Sequence, residues 1–84
     1  MENSMTATIT VTFKEGVLDP EGKTVFNALQ NLGYDSFKSV STGKIFKIDI
    51  DAADKNRARE EIDEACRKLL ANPVIEKYLI EVSE

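Results

Sequence analysis

Thr6-Ala7-Thr8-Ile9-Thr10-Val11-Thr12-Phe13 decides the fold, because every second residue along it is apolar. Ala7, Ile9, Val11 and Phe13 point to one side of an extended chain, and four threonines point to the other. This alternation predicts a β-strand with one buried face. The chain must therefore supply a second layer to cover that face.

Three more β segments are expected further along the chain. A weak strand is predicted at residues 37–40, a clear one at 45–50, and a last one at 74–82. In the clear strand Phe46, Ile48 and Ile50 alternate with charged residues. Ser41-Thr42-Gly43-Lys44 predicts a hairpin turn between the first two of these segments.

Two helices are predicted between the strands, each with an apolar stripe on one side. The first begins after the N-cap Asp19, with Pro20 at its first position, and ends at Gly33. The second begins within residues 51–54 and ends at Asn72, a residue that tolerates the left-handed conformation, before Pro73. The stripes consist of Val25, Ala28, Leu29 and Leu32 in the first helix, and of Ala58, Ile62, Ala65, Cys66, Leu69 and Leu70 in the second.

The predicted order is strand, helix, strand, strand, helix, strand. We expect an α+β, two-layer sandwich related to the ferredoxin-like pattern, with two helices on one face of a mainly antiparallel sheet. We expect residues 6–84 to form a single domain and residues 1–5 to be an N-terminal extension, either ordered or disordered. A domain of this size buries only about 60 to 65% of its surface, so self-association would stabilise it.

The helix-free face of this sheet is expected to have some apolar character. It combines the threonines of the first strand with Ile45, Ile75 and Leu79. We interpret it as a surface for a dimer or another partner. The other interpretation is that these are scattered surface residues of the kind that every soluble protein exposes.

Composition excludes several classes of function. Eleven Lys and Arg residues against fifteen Asp and Glu residues give a net charge of −4, which argues against nucleic acid as a partner. Histidine is absent, which removes the commonest general base and metal ligand, and Cys66 is the only cysteine. Because Cys66 belongs to an apolar helix stripe, we expect it to pack in the core. No apolar run is long enough to cross a membrane and the N-terminus is not a secretory signal, so the expected location is the cytoplasm.

Resemblances to enzyme motifs are weak. Gly43-Lys44 lacks the preceding glycine and the following helix of a phosphate-binding loop. Lys14-Glu15-Gly16 stands where small acyl-phosphate hydrolases of related fold need an arginine. Asp19 and Glu21 fit helix capping. We therefore predict no catalytic, cofactor-binding or metal-binding residue in this chain.

Two longer strings resemble a known family. Gly16-Val17-Leu18-Asp19-Pro20-Glu21-Gly22 and the segment Cys66-Arg67-Lys68-Leu69-Leu70-Ala71-Asn72-Pro73-Val74-Ile75-Glu76-Lys77-Tyr78 are similar to segments of the PurS family, the small subunit of phosphoribosylformylglycinamidine synthase. The resemblance runs from about Ala7 to Val82 and includes Gly43-Lys44. The family often carries an arginine shortly before this Gly-Lys, where Ser41-Thr42 stand here, so any salt bridge of that arginine is in doubt.

The resemblance implies a non-catalytic, cytoplasmic subunit of de novo purine synthesis. In that system a large subunit uses ATP and magnesium to convert formylglycinamide ribonucleotide to the amidine, and a glutaminase subunit releases ammonia from glutamine. The small subunit, usually a homodimer and here expected to be a dimer or tetramer, bridges the two so that ammonia passes between them.

Four residues are candidates for contacts with the other subunits. They are Lys44 at the predicted hairpin, and Asn72, Glu76 and Tyr78 in or near the second string. Each also has a purely structural interpretation: a solvated turn lysine, a helix C-cap, a strand surface charge and a core aromatic residue, respectively. An alternative function is that of an ACT-type regulatory module, which would bind a small molecule such as an amino acid at a dimer interface.

Overall fold

A computed structural model of the protein describes residues 4–83. Its elements are β1 (Ser4–Phe13), α1 (Pro20–Asn31), β2 (Gly43–Asp51), α2 (Lys55–Ala65) and β3 (Glu76–Ser83), and a π-helical turn, Cys66–Leu70, continues α2. The predicted extension at residues 1–5 lies partly outside the described residues. Ser4 and Met5 belong to β1, and Met5 is buried.

The three strands form one antiparallel sheet in the order β2-β1-β3. At its centre Ile9 lies opposite Phe46 on β2 and Ile80 on β3. Because residues directly opposite each other in an antiparallel pair point to the same face, β1 aligns the apolar sets of all three strands. The α+β class and the antiparallel sheet are confirmed.

The core lies between β1 and α2. Ala7, Ile9 and Val11 are buried against Ile62 and Cys66 of the second helix. The Asp54 carboxylate caps α2 by accepting a hydrogen bond of 2.8 Å from the Arg57 backbone N–H. The predicted stripe of this helix therefore covers the face of β1 that the alternating pattern marked as buried, except at Leu69, which is 82% exposed.

The first helix behaves differently. Asp19 caps it and Gly33 ends it with a φ of +99°, as predicted. Yet Gly22 is the only buried residue of α1, and Leu32 is 73% exposed. After Gly33 the chain returns along the helix, and the Gln30 side-chain amide donates to the carbonyl of Phe37 at 3.1 Å. We call this projecting unit, residues 20–42, the arm.

Two expectations need correction here. Residues 37–40 do not form a strand, and residues 41–44 do not form a hairpin turn. Gly43 instead begins β2 and has no positive φ. A Cβ at Gly43 would come within 2.6 Å of the Val11 carbonyl oxygen, so this glycine permits close strand pairing. Within residues 4–83 the sheet thus has three strands, and of the two helices only α2 packs on it, because the arm extends away.

Candidate functional site

The structure brings the four predicted contact residues to one end of the sheet. Val11 of β1 lies between Lys44 on β2 and Tyr78 on β3, and Glu76 on β3 lies opposite Phe13. All three therefore lie on the face that α2 partly covers. Lys44 belongs to a strand and not to a turn. Lys44 and Glu76 line a cleft of about 120 Å³ between the sheet and the base of the arm.

Asn72 and Glu76 hold the turn between α2 and β3. The Asn72 backbone N–H donates to Glu76 Oε1 at 2.7 Å, and Asn72 Oδ1 accepts from the Val74 N–H at 3.0 Å. Asn72 does not take the left-handed conformation expected of it, since glycines alone have positive φ among residues 4–83. Its side chain instead forms an Asx turn after Ala71 has ended the helix. Both residues therefore have internal structural partners.

Tyr78 connects β3 to α2. Its hydroxyl donates a hydrogen bond of 2.6 Å to Asp63 Oδ1. This bond raises the pKa of Tyr78, with smaller contributions from burial and from the negative charge of Asp63. Arg67 also pairs with Asp63, at 3.2 Å. The ring packs against the core as expected, whereas its polar end lines a shallow surface groove beside β3.

Lys44 differs from the other three candidates. No hydrogen bond or ion pair of its ammonium is found within residues 4–83. The carboxylates of Glu21 and Glu76 line the same cleft without pairing with it. Among the four, Lys44 is therefore the side chain that remains available to an external acceptor.

The sequence did not predict the contact that fixes the base of the arm. Asp19 caps α1, where Oδ1 accepts from the Gly22 N–H at 2.9 Å, but it also binds Thr42. The Thr42 N–H donates to Oδ2 at 2.7 Å and the Thr42 hydroxyl to Oδ1 at 2.8 Å. The backbone N–H groups of Thr42 and Gly22 hold the pKa of Asp19 below its ordinary value. No local signal links residues 23 positions apart, so capping alone was visible.

The thiol of Cys66 is enclosed in the structure. Cys66 is fully buried, as predicted, and burial together with the nearby charge of Asp63 raises the pKa of its thiol. Cys66 is thus held as a neutral thiol within the core. No cluster of three or more metal-ligating side chains is found within residues 4–83. No helix in this part of the chain is long and apolar enough to span a bilayer.

Apolar surface is extensive instead. On the helix-free face, Ile45 and Leu79 flank Thr10 in one row and are 66% and 62% exposed. Ile75, expected on this face, lies in the turn before β3. The arm exposes a second group of large apolar side chains, consisting of Val25, Leu32, Tyr34 and Phe37. These surfaces are suited to macromolecular contacts rather than to chemistry on a small substrate.

Comparison with known proteins agrees with this geometry. Residues 6–84 match the family model PurS, described as phosphoribosylformylglycinamidine (FGAM) synthase. The subunit PurS of that enzyme from Archaeoglobus fulgidus is 53% identical over 76 residues, which span 90% of this chain and 95% of that protein.

Solved structures are similar over nearly the whole chain. The crystal structure of PurS from Methanocaldococcus jannaschii, described as a subunit of formylglycinamide ribonucleotide amidotransferase in the purine biosynthetic pathway, aligns with a TM-score of 0.86 and 44% identity. That alignment covers 95% of this chain and 96% of the other. A chain in the structure of PurLQS from Thermotoga maritima aligns with a TM-score of 0.88 and 30% identity, over 96% and 99% of the two chains. The chain therefore belongs to the PurS family of phosphoribosylformylglycinamidine synthase subunits.

Proposed function

We propose that this protein is the small, non-catalytic subunit that bridges the synthetase and glutaminase subunits of phosphoribosylformylglycinamidine synthase. Family membership over residues 6–84 carries the proposal. It is supported by the similarity to a chain of PurLQS from Thermotoga maritima. In the complex, glutamine-derived ammonia passes to formylglycinamide ribonucleotide, and the large subunit uses ATP and magnesium.

The surface of the protein supports a role in assembly. Among residues 4–83, nine large apolar side chains are more than a third exposed, and such surface is typical of macromolecular contacts. Cys66, the one thiol, is enclosed in the core. The protein thus contributes contact surface to the enzyme, and its working location is the cytoplasm.

Lys44 is the contact residue that we propose with the strongest structural support. Its ammonium has no partner within residues 4–83, and it lies at the rim of the cleft beside Glu76. An acidic side chain or carbonyl of a larger subunit could accept its hydrogen bonds. Asn72, Glu76 and Tyr78 would contribute backbone and side-chain surface around it.

Reconstitution of the enzyme tests the bridging role. Purified synthetase and glutaminase subunits are assayed for amidine formation with and without this chain, with glutamine or with ammonium chloride as the nitrogen source. We expect the chain to be required with glutamine and much less so with ammonium, and we expect the three proteins to co-elute from a size-exclusion column. Equal glutamine-dependent activity without the chain would contradict the proposal.

A matched pair of variants tests the contact residue. Lys44→Ala is compared with Lys47→Ala, which removes the same charge from the same strand on its other face. We expect Lys44→Ala to raise the Kd for the larger subunits by about tenfold, which is the effect of roughly one charge-assisted hydrogen bond. Lys47→Ala should leave that Kd unchanged. Stabilisation of the isolated protein by an amino acid, by about 2.7 kcal/mol at 100 times its Kd, would instead favour the ACT-type function.

A further inference from the structure

The outer edge of β3 is a free edge of the sheet. β3 pairs with β1 on one side, and its other side has no strand partner within residues 4–83. The Lys14 N–H donates to the Ile75 carbonyl at 2.9 Å, which sets the alternation of the ladder. Residues 77, 79 and 81 therefore bond to β1, and the backbone groups of Tyr78, Ile80 and Val82 point outward. Such a row of backbone groups can pair with a further strand.

A side chain of α2 covers one position of this edge. Arg59 Nη1 donates to the Ile80 carbonyl at 3.0 Å, in an exposed contact. No hydrogen bond to the other outward backbone groups of Tyr78, Ile80 and Val82 is found within residues 4–83. At about 3.3 Å per residue, the edge from residue 78 to residue 82 is open to another strand over about 13 Å.

A groove of about 550 Å³ lies beside this edge. Its lining combines residues 78–80 of β3 with four residues of α2 at the spacing of one helix side, namely Asn56, Arg59, Glu60 and Asp63. A strand added to β3 would enter this groove. Its alternate side chains would lie against α2, and the others would lie beside Leu79, which is 62% exposed on the helix-free face.

The charge of the groove determines which side chains fit against α2. Asp63 is already paired with Arg67 at 3.2 Å, and Arg59 is bound to β3. The Glu60 carboxylate has neither an ion pair nor a hydrogen bond within residues 4–83. A basic side chain on the added strand would pair with Glu60, whereas an acidic one would be repelled.

A second copy of β3 does not have this chemistry. Tyr78, Ile80 and Val82 lie on the face that packs toward α2, and none of them is basic. Pairing two such edges would also bring two acidic grooves together, which is unfavourable. The edge therefore suits a segment of a different protein.

We propose that the free edge of β3 binds an extended segment of a partner protein, in which basic side chains facing α2 alternate with apolar side chains beside Leu79. The main-chain ladder provides the affinity, and Glu60 provides the selectivity. Arg59 protects the edge in the free chain and leaves the Ile80 carbonyl when the strand is added. The proposal does not depend on the function proposed above.

Titration of the full chain with synthetic peptides tests the proposal. The probe is a capped heptapeptide that alternates lysine with valine, and the amide signals of Tyr78, Ile80 and Val82 are followed by NMR. We expect saturable shifts at these amides, and at least tenfold weaker binding of the peptide that has glutamate in place of lysine. No saturable shift at these amides up to about 1 mM peptide would overturn the proposal, as would shifts confined to β2.

Two methylated isomers of the probe separate strand addition from simple charge attraction. One isomer carries N-methyl groups on its lysine amides and the other on its valine amides, so only one of them blocks the amides that face β3. We expect that isomer to lose at least tenfold in affinity, the effect of about two ladder hydrogen bonds, and the other to bind like the unmethylated peptide. Equal affinities of the two isomers would overturn strand addition.

Matched variants of α2 test the two side chains. Glu60→Gln is compared with Glu61→Gln, and Arg59→Ala with Arg57→Ala, because Arg57 and Glu61 line a different cleft of the same helix. We expect Glu60→Gln to weaken binding of the lysine–valine peptide about threefold and Glu61→Gln to leave it nearly unchanged. Arg59→Ala should strengthen binding more than Arg57→Ala, because it also frees the Ile80 carbonyl. Equal effects within either pair would contradict the role assigned to Glu60 or to Arg59.

Discussion

The two helices of this chain have similar apolar stripes but different surroundings. In α2, Ile62 is 3% exposed and packs against β1, whereas Leu32, at the end of α1, is 73% exposed. Both stripes have the spacing that predicts a covered helix face. The comparison between the body, formed by the sheet and α2, and the arm teaches that periodicity reports the need for a partner surface. It does not tell which chain provides that surface.

The largest difference between body and arm should appear in core truncations. We expect Ile9→Ala, at a fully buried position, to lower the free energy of unfolding by about 3 kcal/mol at every protein concentration. Leu32→Ala should cost less than about 0.5 kcal/mol in the dissociated chain, because its side chain is exposed there. Urea unfolding at two concentrations a hundredfold apart separates the two effects.

The free energy of unfolding of Leu32→Ala should depend on protein concentration in a way that Ile9→Ala does not. If self-association covers the exposed Leu32 side chain, the cost of Leu32→Ala grows at the higher concentration. Asn27→Ala, an exposed substitution on the polar side of α1, serves as the control and should change little at either concentration. A large loss from Leu32→Ala in the dilute sample would mean that the arm packs within its own chain.

Sequence periodicity was sufficient for the body because the contacts there repeat with a local period. The alternation of Ala7, Ile9 and Val11 identified the buried face of β1, and the stripe containing Ile62 and Cys66 identified the helix that covers it. The capping of both helices was also readable, since Asp19 and Asp54 bind backbone groups three residues away. The position of the four candidate contact residues at one end of the sheet follows from the pairing of β1 with β2 and β3, which periodicity alone did not predict.

The arm was less predictable because its contacts join residues that are far apart in the sequence, such as Asp19 and Thr42. Ser41-Thr42-Gly43-Lys44 had the composition of a turn, yet Thr42 is held by Asp19 and Gly43 is needed for close strand pairing. Residues 37–40 had strand character but have no partner strand within residues 4–83. Local propensity is a weak guide where a tertiary contact decides between two conformations.

A smaller difference is expected between two tyrosines. Tyr78 of the body donates to Asp63, whereas Tyr34 of the arm stacks on Phe37 with ring centres 5.1 Å apart. Tyr78→Phe should lower the free energy of unfolding by about 0.5 to 1 kcal/mol, and Tyr34→Phe should have no measurable effect. Unfolding in urea at pH 7 measures both changes.

The pH dependence of this contribution follows from the raised pKa of Tyr78. The folded state favours the neutral phenol, so the stabilisation is complete below roughly pH 10, the unfolded pKa, and is lost as pH rises through the higher folded pKa. The difference between the parent protein and Tyr78→Phe should therefore shrink in alkali. A difference that persists unchanged above that range would contradict the role of the hydrogen bond to Asp63.

The smallest effect on stability should come from the two helix caps, where Asp19 of the arm can be compared with Asp54 of the body. Asp54 accepts one backbone bond at the start of α2, and asparagine caps helices equally well, so Asp54→Asn should be nearly neutral. Asp19 accepts bonds from Gly22 and from both the N–H and the hydroxyl of Thr42. Asn at position 19 has one acceptor oxygen, and its NH₂ group would face a donor. Asp19→Asn should therefore keep the helix cap and release Thr42.

Amide exchange at Thr42 is the measurement that distinguishes these outcomes. We expect faster exchange there in Asp19→Asn, while the amides of β1 are unaffected, because the arm is loosened without opening the core. The pKa of Asp19 is lowered in the folded state, so its stabilisation is present above roughly pH 4 and is lost as pH falls through the lower folded value. The parent protein and the variant should thus differ at neutral pH and converge in acid. Convergence at neutral pH would mean that this carboxylate does not determine where the arm points.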